Sequence, residues 1–231
     1  QTDFHQHDYG KNSQEAFEAY MFADSLIGSV LNLITELNQW DYTTVIVTGD
    51  HGFVDHNTRI NLNALLVENG FINVQEDGTV KDWNAFCHSA GGSAFIRLKN
   101  PNDDKTKGKL KKLLEESHYW EFFNSDELPE VCQNYIPAEF VLISNPGYYF
   151  TRVWESQFLE QINGGSHGGD PSNPELKTTF FAIGRRIEEG VVLEKMHITQ
   201  VAAVIAELLD LPLNTSSVPH GLLTNPQALQ K

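Results

Sequence analysis

The sequence predicts an α/β protein: a central sheet flanked by helices, with a small α+β subdomain inserted into it. Three observations predict this class. A helical apolar pattern over Ser13–Leu37 leads into a β-branched run, Thr43 to Thr48, that stops at Gly49. A second apolar run, Thr179–Gly184, leads into another helical pattern, Ile198–Leu209. Between them, from about residue 80 to 160, short strand-like runs cluster around one Lys-rich helix. Alternating strand and helix is the signature of α/β layers, and clustered strands beside a lone helix that of α+β. The expected division is therefore residues 1–79 as core, 80–160 as a cap-like insertion, and 161–231 as core that closes the sheet.

In chain order, Ser13 is placed to cap the first helix, with Glu15 and Glu18 in its opening turns. Phe17, Tyr20, Met21, Ile27, Leu31 and Ile34 recur at helical spacing. The Thr43–Thr48 run reads as a buried strand. Asn61 to Glu68 reads as a short helix closed by Gly70. Phe71–Val74 is a strand fragment and Asp77-Gly78 a turn. Within the insertion, strands are expected over Ser93–Lys99, Trp120–Phe123 and Glu139–Ser144. Asp104 to Glu116 is expected as an amphipathic helix whose lysines face solvent. Thr179–Gly184 reads as a buried strand, and Pro212 follows the last helix.

The composition is that of a globular chain, with 40% hydrophobic and 20% charged residues over 231 positions. At this length roughly 70–75% of the unfolded surface can be buried, so no covalent staple is required. Thirty-one acidic against 16 basic residues give a formal charge of −15. That balance argues against gripping a nucleic acid duplex by its phosphates. It leaves small phosphate substrates open, because bound cations can reverse a local field. Cys87 and Cys132 form no C-x-x-C pair, and two free buried thiols are expected rather than a disulfide. No run reaches the length of a membrane-spanning helix, and no signal peptide is visible. The chain opens on Gln1 and presents Asp3 almost at once, which points to a C-terminal piece of something longer or a processed product.

The candidate chemistry lies on three stretches. The Thr43–Thr48 strand delivers Asp50 and His51 at its carboxyl end, where α/β sheets bind ligands. One hard oxygen ligand beside one imidazole suits a divalent transition metal, with zinc the first candidate. Alone, the pair reads equally well as a turn. Upstream, Asp3 and His7 stand four apart before Gly10. Downstream, a glycine-rich loop, Gly164 to Asp170, presents His167. Asp3, His7 and His167 make one candidate ligand set, and Asp50 with His51 part of another. The remaining imidazoles are assigned structural roles: His5 and His56 in loops, solvated or hydrogen-bonded, His88, His118 and His197 as packing, cap or surface residues, and His220 in the terminal loop. Trp40, Trp83, Trp120 and Trp154 are scattered and are expected in packing rather than on a carbohydrate site.

In order and spacing, these stretches resemble the C-terminal half of the alkaline-phosphatase superfamily, most closely its nucleotide pyrophosphatase/phosphodiesterase branch. Asp3-x-x-x-His7-x-Tyr9-Gly10, Thr48-Gly-Asp50-His51-Gly52 and Gly164-Gly-Ser-His167-Gly168 resemble its three ligand-bearing segments. Phe180-Phe-Ala-Ile-Gly184 and Ile205-Ala-Glu-Leu-Leu-Asp-Leu-Pro212 resemble its closing strand and helix. Gly169 stands where the family often has an aromatic residue. The resemblance implies an alkaline-phosphatase-like central sheet and two divalent metal ions, usually zinc. Asp3, His7 and His167 would hold one ion. Asp50 and His51 would hold the other, together with an Asp and a Thr or Ser nucleophile from an upstream portion outside this sequence. It implies hydrolysis of a small phosphate ester or nucleotide by in-line displacement, most closely as a phosphodiesterase or nucleotide pyrophosphatase. A phosphomonoesterase, phosphonate hydrolase or sulfatase on the same scaffold is the nearest alternative. A non-catalytic metal-binding fragment is the alternative of a different class. Family habit implies an extracellular or periplasmic location.

Overall fold

A computed structural model describes residues 1–128, 137–213 and 217–224. Cys132 lies outside them. In chain order the main elements are α1 (Thr2–Tyr9), α2 (Gln14–Glu36), β1 (Thr44–Thr48), β2 (Val54–Ile60), α3 (Leu62–Glu68), β3 (Ile72–Val74), β4 (Val80–Trp83), β5 (Ala85–Ser89), β6 (Ser93–Leu98), α4 (Asp104–Leu114), β7 (Trp120–Asn124), β8 (Phe140–Ser144), β9 (Gly147–Phe150), β10 (Leu159–Ser166), β11 (Phe180–Gly184) and α5 (Thr199–Leu208). This is a mixed α/β chain. It forms two compact units: Gln1–Phe22 with His51–Lys177, and Ala23–Asp50 with Thr178–Lys231.

The first unit holds most of the core. β5, β6, β8 and β7 form a four-stranded sheet in that order, antiparallel throughout. Ile96, Phe140 and Leu142 from this sheet are shut from solvent together with Leu62, Leu66, Leu110 and Leu114 of α3 and α4. Each such side chain contributes roughly 1.5–3 kcal/mol of transfer free energy. Asp103 caps α4 by accepting from the Thr106 backbone N–H at 3.0 Å and its hydroxyl at 2.6 Å, which holds its carboxyl below the usual range. Cys87 is fully buried, and burial pushes its thiol up to about 12, so it stays a neutral packing group.

A second sheet in this unit, β10-β2-β9, positions the site. The sequence reading had no strand at residues 54–60 and placed His56 in a loop. The strand was hidden because its inward positions are His56, Thr58 and Ile60, two of them polar. Each is satisfied inside. His56 stacks on Tyr149 with ring centroids 3.7 Å apart, and its nitrogens meet the carbonyls of Ile162 (3.3 Å) and Gly165 (3.1 Å). The glycine-rich stretch read as a loop from Gly164 is also partly strand: Gly164, Gly165 and Ser166 pair with His56, Asp55 and Val54. Residues 2–9, for which the sequence predicted no element, form a helix. Asp3 in its first turn and His7 in its last both suit the helix dipole, and Gly10 ends it at φ 87°.

The second unit pairs β1 antiparallel with β11, from Thr44↔Gly184 to Thr48↔Phe180. Both were expected to be buried, and neither is. Residues of β1 are half-buried or exposed, and Phe181 and Ile183 of β11 are 65% and 53% exposed. α2 runs from the first unit into the second. It is 23 residues long, its most apolar window has mean hydropathy 1.2, and by length and composition alone it is sufficient to cross a membrane. The expectation of no run long enough to span a membrane is therefore corrected on length and composition alone, although Asp24 stands within the helix.

Candidate metal centre

Helical spacing puts Asp3 and His7 on one face of α1. Asp3 Oδ1 and His7 Nε2 are 3.6 Å apart. The other ring nitrogen, Nδ1, donates to the Gly165 carbonyl at 2.9 Å, which fixes the imidazole plane and turns Nε2 toward the carboxylate. An imidazole held by a carbonyl through one nitrogen and free to ligate through the other is the usual arrangement at metal-binding histidines.

That contact exists because α1 lies directly on β10. A Cβ on Gly164 would fall 2.4 Å from the His7 carbonyl oxygen, and one on Gly165 would fall 2.4 Å from that of Gln6. Only glycine permits this approach. Gln6 is buried under the helix and accepts the Tyr20 hydroxyl at 2.9 Å, which ties α1 to the start of α2. Lys11, just beyond the helix, ion-pairs with Glu175.

β10 ends at the buried Ser166, and His167 follows. Its Nε2 lies 3.7 Å from Asp3 Oδ1. The ligand atoms of Asp3, His7 and His167 all lie within 4.8 Å of one another, and all three side chains keep access to solvent. His51 joins them, with Nε2 3.9 Å from the same Asp3 oxygen and its ring stacked on His167 at 3.7 Å and 12°. The turn carrying His51 is anchored by Gly52 N and Phe53 N, which donate to the Leu176 and Glu175 carbonyls at 2.9 and 3.1 Å. Asp50 lies two residues past the end of β1 in the second unit, exposed, one peptide bond before His51.

Three imidazoles thus converge on one carboxylate oxygen. Two ligands of one tetrahedral zinc sit roughly 3.3 Å apart, given zinc–ligand lengths of roughly 2.0–2.1 Å. The spacings of 3.6 and 3.7 Å from Asp3 to His7 and His167 fit that requirement after small side-chain adjustment. One oxygen and two nitrogen donors with an open outer side match a metal site that keeps a position for substrate.

Sequence reasoning missed Phe53. It is 4% exposed and meets the rings of His7, His51 and His167 at centroid distances of 4.9, 5.7 and 5.4 Å. It forms an apolar floor that leaves the imidazoles open on one side. The signal was present, since Phe53 directly follows His51-Gly52, but an aromatic residue after a turn has many meanings.

A family model described as type I phosphodiesterase / nucleotide pyrophosphatase matches residues 1–170. The chain belongs to that family. The matched span includes Asp3, His7, Asp50, His51 and His167. Ectonucleotide pyrophosphatase/phosphodiesterase family member 7 of Rattus norvegicus is 23% identical over 217 residues, 94% of this chain and 47% of that protein. The Homo sapiens protein of the same name is 24% identical over 203 residues, 88% of this chain and 42% of that protein. Murine ectonucleotide pyrophosphatase/phosphodiesterase 5 superposes with a TM-score of 0.73 at 20% identity, covering 96% of this chain and 56% of that one. An inactive variant of the murine protein, solved in complex with AMP, gives a TM-score of 0.72. The chain spans about half the length of the curated relatives it matches. The fold is alkaline-phosphatase-like, as the sequence motifs implied.

Proposed function

We propose that this chain supplies the metal-holding side of a phosphodiesterase or nucleotide pyrophosphatase. The observation that carries the reading is the convergence of His7, His51 and His167 on Asp3 Oδ1. In this reading Asp3, His7 and His167 hold one divalent ion, zinc by ligand type, and His51 with Asp50 serves a second. Bound there, such ions supply Lewis-acid stabilisation of the charge that develops on a phosphoryl group in transfer.

The residues of this chain provide the setting. Asp3 offsets part of the positive charge. The Gly165 carbonyl holds the His7 ring in its ligating tautomer. Phe53 excludes water from beneath the three rings. A chain of charge −15 otherwise repels phosphate, so a local cationic centre also suits the substrate class. The nucleophile, a Thr or Ser in the resemblance, is assigned to no residue of this chain. The substrate is a nucleotide or another small phosphodiester, a choice supported by the AMP complex of the murine relative. Residues 80–160 act as the cap-like subdomain, and the location is extracellular or periplasmic.

The test is metal content of the chain by elemental mass analysis after dialysis against metal-free buffer, followed by hydrolysis of bis(p-nitrophenyl) phosphate and p-nitrophenyl phosphate by the chain joined to an upstream portion that carries the Thr or Ser nucleophile. Bound zinc and faster diester cleavage, both lost in His167→Ala, are expected. Faster monoester cleavage would favour a phosphomonoesterase. A folded protein without metal would sink the reading.

A further inference from the structure

We infer that the turn between β5 and β6, Ala90-Gly91-Gly92, is the clamp that positions His167, with Gly92 and Ser93 as its positioning residues. The role rests on the metal reading above; the contact does not.

Two consecutive main-chain carbonyls, that of His167 itself and that of Gly168 just after it, are gripped here. Gly92 N donates to the His167 carbonyl at 2.7 Å. The Ser93 hydroxyl donates to the Gly168 carbonyl. The two segments also touch backbone to backbone. A Cβ on Gly92 would lie 2.6 Å from both Cα and N of Gly169, and one on Gly168 would lie 2.2 Å from the Ala90 carbonyl oxygen.

The turn can act as a fixed jaw because it is itself anchored. Gly91 and Gly92 carbonyls accept from Phe150 N at 2.7 Å and Ser144 N at 2.9 Å, the ends of β9 and β8. The Ser89 hydroxyl donates to the Phe150 carbonyl at 2.6 Å and accepts from Gly91 N at 3.1 Å. His167 otherwise stands one residue past a strand end, on two glycines that impose little conformation of their own. The clamp fixes its backbone, and with it the 3.7 Å separation of Nε2 from Asp3. Partners of this kind, which orient a ligand without touching the metal, are worth about 10–100-fold in metal affinity.

Gly92→Ala isolates the effect. Gly92 lies outside the left-handed backbone region, so alanine suits its own backbone, and the added methyl meets Gly169 main-chain atoms that cannot rotate away. Ser93→Ala removes one hydrogen bond and adds no atoms, so it serves if Gly92→Ala does not fold. Two readouts apply: hydrogen–deuterium exchange over residues 164–170, and cobalt(II) affinity from the visible absorption of the bound ion. Gly92→Ala should speed exchange in that segment with β8 unchanged, and weaken cobalt by about 10–100-fold. Ser93→Ala should act the same way by about 2–10-fold. Unchanged exchange and affinity in both variants overturn the inference and leave the metal reading standing. Loosened exchange with unchanged affinity also overturns the positioning role. Loosened exchange in a protein that binds no cobalt even as wild type upholds the clamp and overturns the metal reading.

Discussion

Leu62, Leu66, Ile96, Phe140 and Leu142 of the first unit are shut from solvent, whereas Leu26, Val30, Leu33, Phe181 and Ile183 of the second are each more than half exposed. The sequence patterns in the two regions look alike. Periodicity reports which side of an element is built for contact, and says nothing about whether the chain itself covers that side. In the first unit four strands, α3 and α4 close on one another. In the second, the described strands are one antiparallel pair, and the apolar sides of β11 and α2 stay open. The candidate ligand side chains divide in the same way: Asp3, His7, His51 and His167 stand on the packed unit, and Asp50 on the other.

The contrast is sharpest at Phe140. Phe140→Ala should cost about 3–5 kcal/mol in denaturant unfolding, since a fully buried ring leaves a cavity. A loss below about 1 kcal/mol would mean that the first unit is not the tightly packed one. Next in size, His167→Ala should weaken cobalt or zinc binding by more than about 100-fold, beyond what a residue outside the ligand set contributes. Equilibrium dialysis reads this directly, and an unchanged affinity removes His167 from the ligand set.

His56→Ala should cost about 1–3 kcal/mol, because it removes the Tyr149 stack and the ring's contacts to the Ile162 and Gly165 carbonyls. It also carries a sign in pH. Burial lowers the pKa of His56 below its usual value, against two carbonyl bonds that raise it. Between the folded and unfolded pKa values the unfolded state binds more protons. The stabilisation is therefore full above about pH 6.5, the unfolded value, and is lost as pH falls through the folded one. His56→Gln should flatten that part of the stability–pH curve. Smallest of all, Leu33→Ala on the open side of α2 should change stability by no more than about 0.5 kcal/mol. A cost of several times that would show that α2 is covered in solution and would erase the contrast between units.

Much of this was legible. The α2, α3, α4 and α5 boundaries follow from apolar spacing and punctuating residues such as Gly70 and Pro212. The candidate ligand residues stood out as acid–imidazole pairs beside glycines, and Asp3, His7, His51 and His167 do come together in space. What stayed hidden has physical causes. β2 buries His56 and Thr58, so its alternation is not one of hydrophobicity. α1 is too short and too polar to announce itself, and is held by a glycine-lined strand distant in sequence. Phe53 and the Gly92 turn act through tertiary contacts with His167 that no local pattern encodes. The expected separation of ligands into two sets also missed that Asp3 Oδ1 faces His51 as well as His7 and His167.

The seating of α1 on β10 has a topological consequence. His7 and Gly165 are neighbours in space but 158 residues apart along the chain. A cation shared by Asp3, His7 and His167 would therefore cross-link the chain much as a disulfide does, closing a long loop and withdrawing conformations from the unfolded ensemble. Chelation would then do more than empty a reaction centre. It would untie the first helix from the sheet, and resistance to proteolysis near residue 10 would report the ion as directly as turnover does.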